Sequence, residues 1–272
     1  MKITYIVSFA CALLAAPIAS AHEFWIEPPE FQVEIEKAFT ADLRNGEKFK
    51  GTRQSFFADR NTRFEVIMGD AAAPITGRMG DRPAIQLPAP AQDGLMILAH
   101  EAAPSTITYK EWPKFMKFVA HKDFKEAEAI HTARGWAKEG FKETYTRHSK
   151  SLIAVGDGAG SDRELGLVTE FVALENPYAA DFDGTLDVAL FYNGEPRADA
   201  QIEVYERDAE DNVAVTITRT DATGRAAIPL QAGMEYLLDA VVLRPVEGAT
   251  NAEDGPVWET LWASLTFAVP AP

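Results

Sequence analysis

Five histidines are the residues of this chain with the most evident capacity for chemistry, and all five lie before residue 149: His22, His100, His121, His131 and His148. His22 directly follows Ala19-Ser20-Ala21, a small-residue triplet of the kind a signal peptidase cuts after. Cleavage after Ala21 would make His22 the first residue and give it a free amine beside its imidazole. An α-amine titrates near ~8 and an imidazole near ~6.5, so both offer lone pairs around neutral pH. Together they form a two-nitrogen chelate. One or two further imidazoles would complete an all-nitrogen site, which suits copper, nickel or zinc rather than magnesium or calcium.

The other histidines are weighed by what surrounds them. His100 ends the apolar run "LMILAH", where a strand would deliver it to a rim, and His148 lies in "YTRHSK" beside Arg147. These two are the expected partners of His22. His131 stands three residues after Glu128, the E-x-x-H spacing that helical carboxylate metal sites use, and is carried as a fourth candidate ligand. His121 sits at a helix junction, where capping carbonyls is the simpler role. No catalytic residue is assigned: there is no H-E-x-x-H, no nucleophile elbow, and no Ser-His-Asp or Cys-His order that spacing selects. Two alternatives to metal capture stay open. One is a copper-dependent oxidase using the same N-terminal chelate with Tyr145 as an axial group, and the other is a protein- or glycan-binding sandwich module whose histidines are structural.

The elements that must position these residues divide the chain. Residues 1–21 read as a secretory signal, with Lys2, an apolar run from Ile3 to Ala16, and Pro17 before the cleavage triplet. "SFAC" lacks the leucine expected three residues before a lipidated cysteine, and removal of the segment takes away Cys11, the only cysteine. From 22 to 160 the pattern predicts a β-rich domain, with strands at "FQVEI", "TRFEVIM", "GLMILAHE", "STITY" and "ETYTRHSKSLIAVG". A helical insertion over 110–134 interrupts it, with Trp112, Phe115, Met116 and Val119 at helical spacing and Gly135 as a stop. "GDGAGSD" (156–162) has the turn chemistry of a linker and lacks the spacing of a phosphate loop. Residues 161–272 predict a sandwich of immunoglobulin or transthyretin type. The expected fold is therefore mainly β, with two β-sandwich-like domains.

Charge sets limits on partners. From Ser151 onward there are 22 acidic residues against 6 basic ones, all arginine, and the whole chain carries −15. That balance argues against nucleic acid or an anionic bilayer as the main partner. No later apolar run reaches membrane-spanning length, so stable membrane insertion is not expected. Oligomeric state leaves no mark in the sequence.

With these segments in view, the chain resembles a known family. "AHEFWIEP" after the signal, "ETYTRHSKSLIAVG", "LGLVTEFVALENPY" and "LFYNGEPRADAQIEVY" followed by "TDATGRAAI" are similar to the domain of unknown function family 4198, DUF4198, over essentially the whole mature chain. The resemblance implies a periplasmic component of a cobalt or nickel uptake system, which binds the metal and hands it to a membrane transporter component. It also matches the family's opening histidine to His22, and its Tyr-x-Arg/Lys-His segment to Tyr145, Arg147 and His148, with Lys150 in the position of the family's lysine. Nickel and cobalt come from that resemblance. Ligand chemistry alone ranks copper higher and allows zinc.

Overall fold

The computed structural model describes residues 22–250 and 255–271, and the expected signal segment and its cleavage site at Ala21 lie outside the described residues. Alternating and β-branched runs build β1 (Glu23–Glu27), β2 (Gln32–Val33), β3 (Phe39–Glu47), β4 (Lys50–Gln54), β5 (Asn61–Met68), β6 (Ala71–Pro74), β7 (Ile85–Leu87), β8 (Gly94–Ala102) and β9 (Ser105–Tyr109). Two helices follow, α1 (Trp112–His121) and α2 (Ala127–Ala133). Then come β10 (Phe141–Val155), β11 (Thr169–Ala173), β12 (Thr185–Tyr192), β13 (Glu195–Pro196), β14 (Gln201–Arg207), β15 (Val213–Arg219), β16 (Arg225–Pro229), β17 (Glu235–Pro245) and β18 (Pro256–Ala268). The chain is mainly β, its sheets packed as a sandwich, with two short helices.

A ten-stranded sheet runs β15-β14-β17-β18-β10-β8-β5-β6, with β2 and β9 also paired to β10. β10 is its spine. It lies antiparallel to β8 and β9 and parallel to β18, from Glu143↔Trp258 to Ser151↔Thr266. Strands from both halves of the sequence thus share one sheet, and one buried cluster holds Leu98 and Leu152 together with Phe171, Leu190, Leu238 and Phe267. From His148 to Val155 every residue of β10 is buried. A strand covered on both faces loses the in–out alternation of a half-exposed one.

Two four-stranded sheets cover the large one: β1-β3-β4 with β7, and β11-β12-β13 with β16. β1 is fixed in an unusual way. One edge pairs with β3, and along the other edge the carbonyls of His22, Phe24 and Ile26 meet side-chain donors from β10 and β18. Arg147 donates to His22 O (3.3 Å), Ser149 and Ser264 to Phe24 O (3.1 and 2.8 Å), and Thr266 to Ile26 O (2.7 Å). Buried edge carbonyls need such partners, since each one left unpaired is costly.

The helical insertion forms as its spacing predicts, with Pro113 in the first turn of α1 and Gly135 at φ +64° after α2. Phe115, Phe118 and Val119 are buried among Tyr109, Trp136, Phe141, Trp258 and Trp262. "FQVEI" differs from expectation: only Gln32–Val33 pairs, with β10, and Glu36 turns the chain at φ +67°. Among the described residues no helix is long and apolar enough to cross a membrane.

Candidate functional site

His100 is the most informative of the candidate ligands. Its ring is 1% exposed, stacked on Phe24 at 5.2 Å and edge-on to Phe64 at 4.9 Å. The Asn61 amide nitrogen donates to Phe57 O at 3.0 Å, which turns the Asn61 oxygen toward His100 Nε2 at 2.8 Å. Nε2 is therefore the protonated nitrogen and donates, and Nδ1 carries the lone pair. Nδ1 is buried with no partner among the described residues. Burial, followed by the charges of His148 and Arg147, pulls the ring down to about 3, so it is neutral at any ordinary pH.

His22 lies at the start of β1. It immediately precedes the strand, and the group fixed against the large sheet is its carbonyl, which accepts from Arg147 at 3.3 Å. Its Nε2 is 3.8 Å from Glu47 Oε1. At that separation the pair is a loose, solvent-exposed contact rather than a hydrogen bond.

His148 is close enough for its charge to act on His100, but it faces the other way. Ser149 and Arg147 turn toward β1, so His148, between them in β10, points to the opposite face of the sheet. There its Nδ1 donates to Trp262 O at 3.1 Å, while Nε2 is buried without a partner among the described residues, and burial lowers its affinity for a proton. His131 lies among the aromatic side chains around Trp112 and Trp258. Its Nε2 donates to Ala137 O at 3.1 Å and its Nδ1 accepts from Trp258 Nε1 at 3.0 Å, so both nitrogens are engaged inside the aromatic cluster. Glu128 instead meets Lys138 on the surface at 3.7 Å. Tyr145 stacks under the Arg147 guanidinium at 4.5 Å. Among the described residues no group of three or more His, Cys, Asp or Glu side chains is arranged to hold a metal ion.

Across β1 from His100 lies a cluster that spacing does not suggest. Lys122 Nζ, 4% exposed, meets Asp239 (2.8 Å), Glu203 (3.0 Å) and Glu23 (3.8 Å). Tyr205 donates to Glu203 and, at 3.1 Å, to Glu23, and exposed His121 reaches Glu203 at 3.2 Å. Burial would raise Glu203, but the hydrogen bond from His121 and the charge of Lys122 hold it at about 2. Burial, reinforced by Asp239, pushes Glu23 up to about 7. The signal available in the sequence is Glu23 itself, a carboxylate directly before the aromatic pair Phe24-Trp25 at the head of the opening strand.

What the arrangement offers chemically is a preset neutral imidazole, packed against Phe24 of β1. Two surface clefts, of about 370 and 350 Å³, lie elsewhere, one lined by Gln32, Lys37 and Gly156, the other by Glu175, Asp181 and Asp187. A family model described as "Domain of unknown function (DUF4198)" matches residues 19–244. No curated protein matches the chain. Among solved structures the chain is similar to a tetra-tandem repeat in the extending region of a large adhesion protein (9% identity, TM-score 0.20, covering 91% of this chain and 49% of that one). It is also similar to the D0-D1 domain of intimin (12%, 0.20, 89% and 97%) and the Yersinia pseudotuberculosis adhesin InvE (11%, 0.20, 90% and 58%). The chain thus spans about half the length of the first of these, and overlaps of this quality carry no argument about function.

Proposed function

The chain belongs to the family described as Domain of unknown function (DUF4198), and on that premise we propose that it is a secreted, periplasmic protein that captures a transition metal for a membrane uptake system. The metal is cargo rather than cofactor. Its anchor is His22, through the amine freed by cleavage and through ring Nδ1, and His100 is assigned as the second imidazole. Nickel or cobalt follows from the family resemblance, with copper or zinc as the alternatives the ligand chemistry allows. His148, on the other face of the sheet, and His131, with both nitrogens engaged, stay outside the ligand set.

The observation that carries this reading is the state of His100. A buried imidazole whose Nε2–H is tied to Asn61 and whose Nδ1 is unpaired has its tautomer fixed for donation to a metal, as ligating histidines are fixed by their outer partners. Desolvation keeps it neutral, so no proton competes for the lone pair. Arg147 pins the His22 carbonyl, which holds the chelating residue to the sheet and lowers the ordering cost of binding.

The test is calorimetric titration of the exported protein with Ni²⁺, Co²⁺, Cu²⁺ and Zn²⁺. One added alanine before His22 destroys the terminal chelate, and His100→Ala removes the second ligand residue. Each change is expected to weaken binding by tenfold or more, about 1.4 kcal/mol. Equal affinity in all three proteins overturns the proposal. Reductant-dependent peroxide consumption by the copper-loaded protein would shift the reading to an oxidase.

A further inference from the structure

The second buried lysine supports an inference of a different kind. Lys150 lies in β10 with its side chain 1% exposed, on the face away from β1. Its Nζ is 2.8 Å from Asp162 Oδ1, whose side chain is 0% exposed, and 3.5 Å from Glu170 Oε2, at 1%. Nζ also donates to Arg163 O and Phe171 O, both at 2.9 Å, which fixes its position against the carboxyl. Asp162 is held by backbone donors at both oxygens: Arg163 N to Oδ1 at 2.8 Å and Ala173 N to Oδ2 at 2.9 Å. Glu170 is gripped by the amides of Leu165, Gly166 and Leu167, at 3.0, 2.7 and 3.1 Å to Oε1, while Oε2 accepts from the Leu165 amide at 3.0 Å and faces Lys150.

We propose that Lys150 and Asp162 are joined by an intramolecular isopeptide bond, formed in the folded protein with Glu170 as the proton carrier. The amine nitrogen attacks Cγ of Asp162, a C–N bond forms, and Oδ1 departs. The ammonium gives up two protons, and both leave with Oδ1 as one molecule of water. Glu170 Oε2 takes a proton from Nζ and returns it to the leaving oxygen. The carbonyl of the new amide is Oδ2, which the Ala173 amide already polarises, and that donor stabilises the oxyanion of the tetrahedral intermediate. No electron changes hands and no co-reactant is needed.

Three features favour the reaction here. The amine and carboxyl are held as neighbours by the fold, which removes the entropic cost of encounter. The ion pair is fully enclosed, and exchanging two buried charges for a neutral amide relieves their desolvation. Burial also raises Glu170 above the ordinary carboxylate range despite Lys150 and its three amide donors, which suits a group that must hold a proton in transit. Lys122 contrasts with this. Its ammonium lies 4.9 Å from the Trp262 ring centre among three carboxylates, surroundings that hold the charge.

Mass spectrometry of the folded, exported protein tests the bond. Trypsin cleaves after Arg147 and Arg163 and ordinarily after Lys150, but not after a lysine whose amine is an amide. The expected result is a single peptide spanning residues 148–163, lighter than its sequence by one water, in place of separate 148–150 and 151–163 peptides. Asp162→Ala and Glu170→Gln should each restore cleavage after Lys150 and the full mass. Wild-type protein of full mass that is cut completely after Lys150 overturns the proposal, whether or not the variants fold. A water deficit that persists in Lys150→Arg overturns it as well. None of these readouts depends on metal binding, so the two proposals fail separately.

Discussion

Glu143 is 2% exposed and its contacts are hydroxyls: Tyr109 donates to Oε2 at 3.0 Å and Thr260 to Oε1 at 2.6 Å. Burial outweighs both bonds and the nearby Arg147, and lifts the carboxyl from 4.5 to about 7. A folded-state value above the unfolded one means that the native protein binds more protons across this window. The contribution to stability is then complete below pH 4.5 and lost as pH rises through about 7. His100 and His148 act with the opposite sign, since their lowered values make acid destabilising below the ordinary histidine range. Glu143→Gln should remove only the first effect. The difference in unfolding free energy between wild type and variant is expected to change by on the order of 3 kcal/mol between pH 4.5 and 7. Denaturant melts across that range measure it, and a pH-independent difference would sink the assignment. This scale is also where the sequence was least explicit. A histidine at position 100 or 148 is visible as a candidate ligand, but Asn61, 39 residues before His100, and the carbonyl of Trp262, 114 residues after His148, set their tautomers through strand register. Nothing local to those positions marks them.

At the scale of elements, β1 and the α1–α2 insertion are each held by polar contacts to the large sheet. The hydroxyls and guanidinium along β10 and β18 serve β1. Lys122, just past the end of α1, is clamped by Asp239 of β17, Glu203 of β14 and Glu23 of β1, so one ammonium ties a helix to three strands. Lys122→Met keeps most of the apolar stem but leaves three carboxylates together without their cation. Removing one partner of a buried pair typically costs about 3–5 kcal/mol, and that loss is the expected outcome in chemical denaturation. The loss should shrink as pH falls through about 7, where Glu23 takes up a proton, with Asp239 raised in the same direction by burial. An undiminished loss in acid would instead point to packing. The helices themselves were readable from the period of Trp112, Phe115, Met116 and Val119. The burial of the lysine that follows them was not, because a charge at a helix end reads as solvated unless its partners, here 81 and 117 residues later for Glu203 and Asp239, are known to converge on it.

Across the whole molecule, the composition break near residue 160 and the continuity of the sheet pull in different directions. Lysine and histidine vanish after Ser151 and the acidic excess begins there, and the alternating strands of the second half are plain in the sequence. A parallel pairing between β10 and β18, 115 residues apart at His148↔Ala263, has no local signature, since neither a turn nor a helix of fixed length announces it. Its consequence is mechanical and thermodynamic coupling. β18 loses a full neighbouring strand if residues before 161 are removed, and the large cluster that includes Leu152, Phe171, Leu238 and Phe267 is cut through. Two halves that share a sheet and a core should unfold together. The intact chain is therefore expected to melt in one calorimetric transition, with equal calorimetric and van't Hoff enthalpies. A fragment of residues 161–272 should lack a cooperative melt or aggregate through the uncovered flank of β18. Two resolved transitions in the intact chain, with the fragment reproducing one of them, would show instead that the sheet joins halves that are energetically independent.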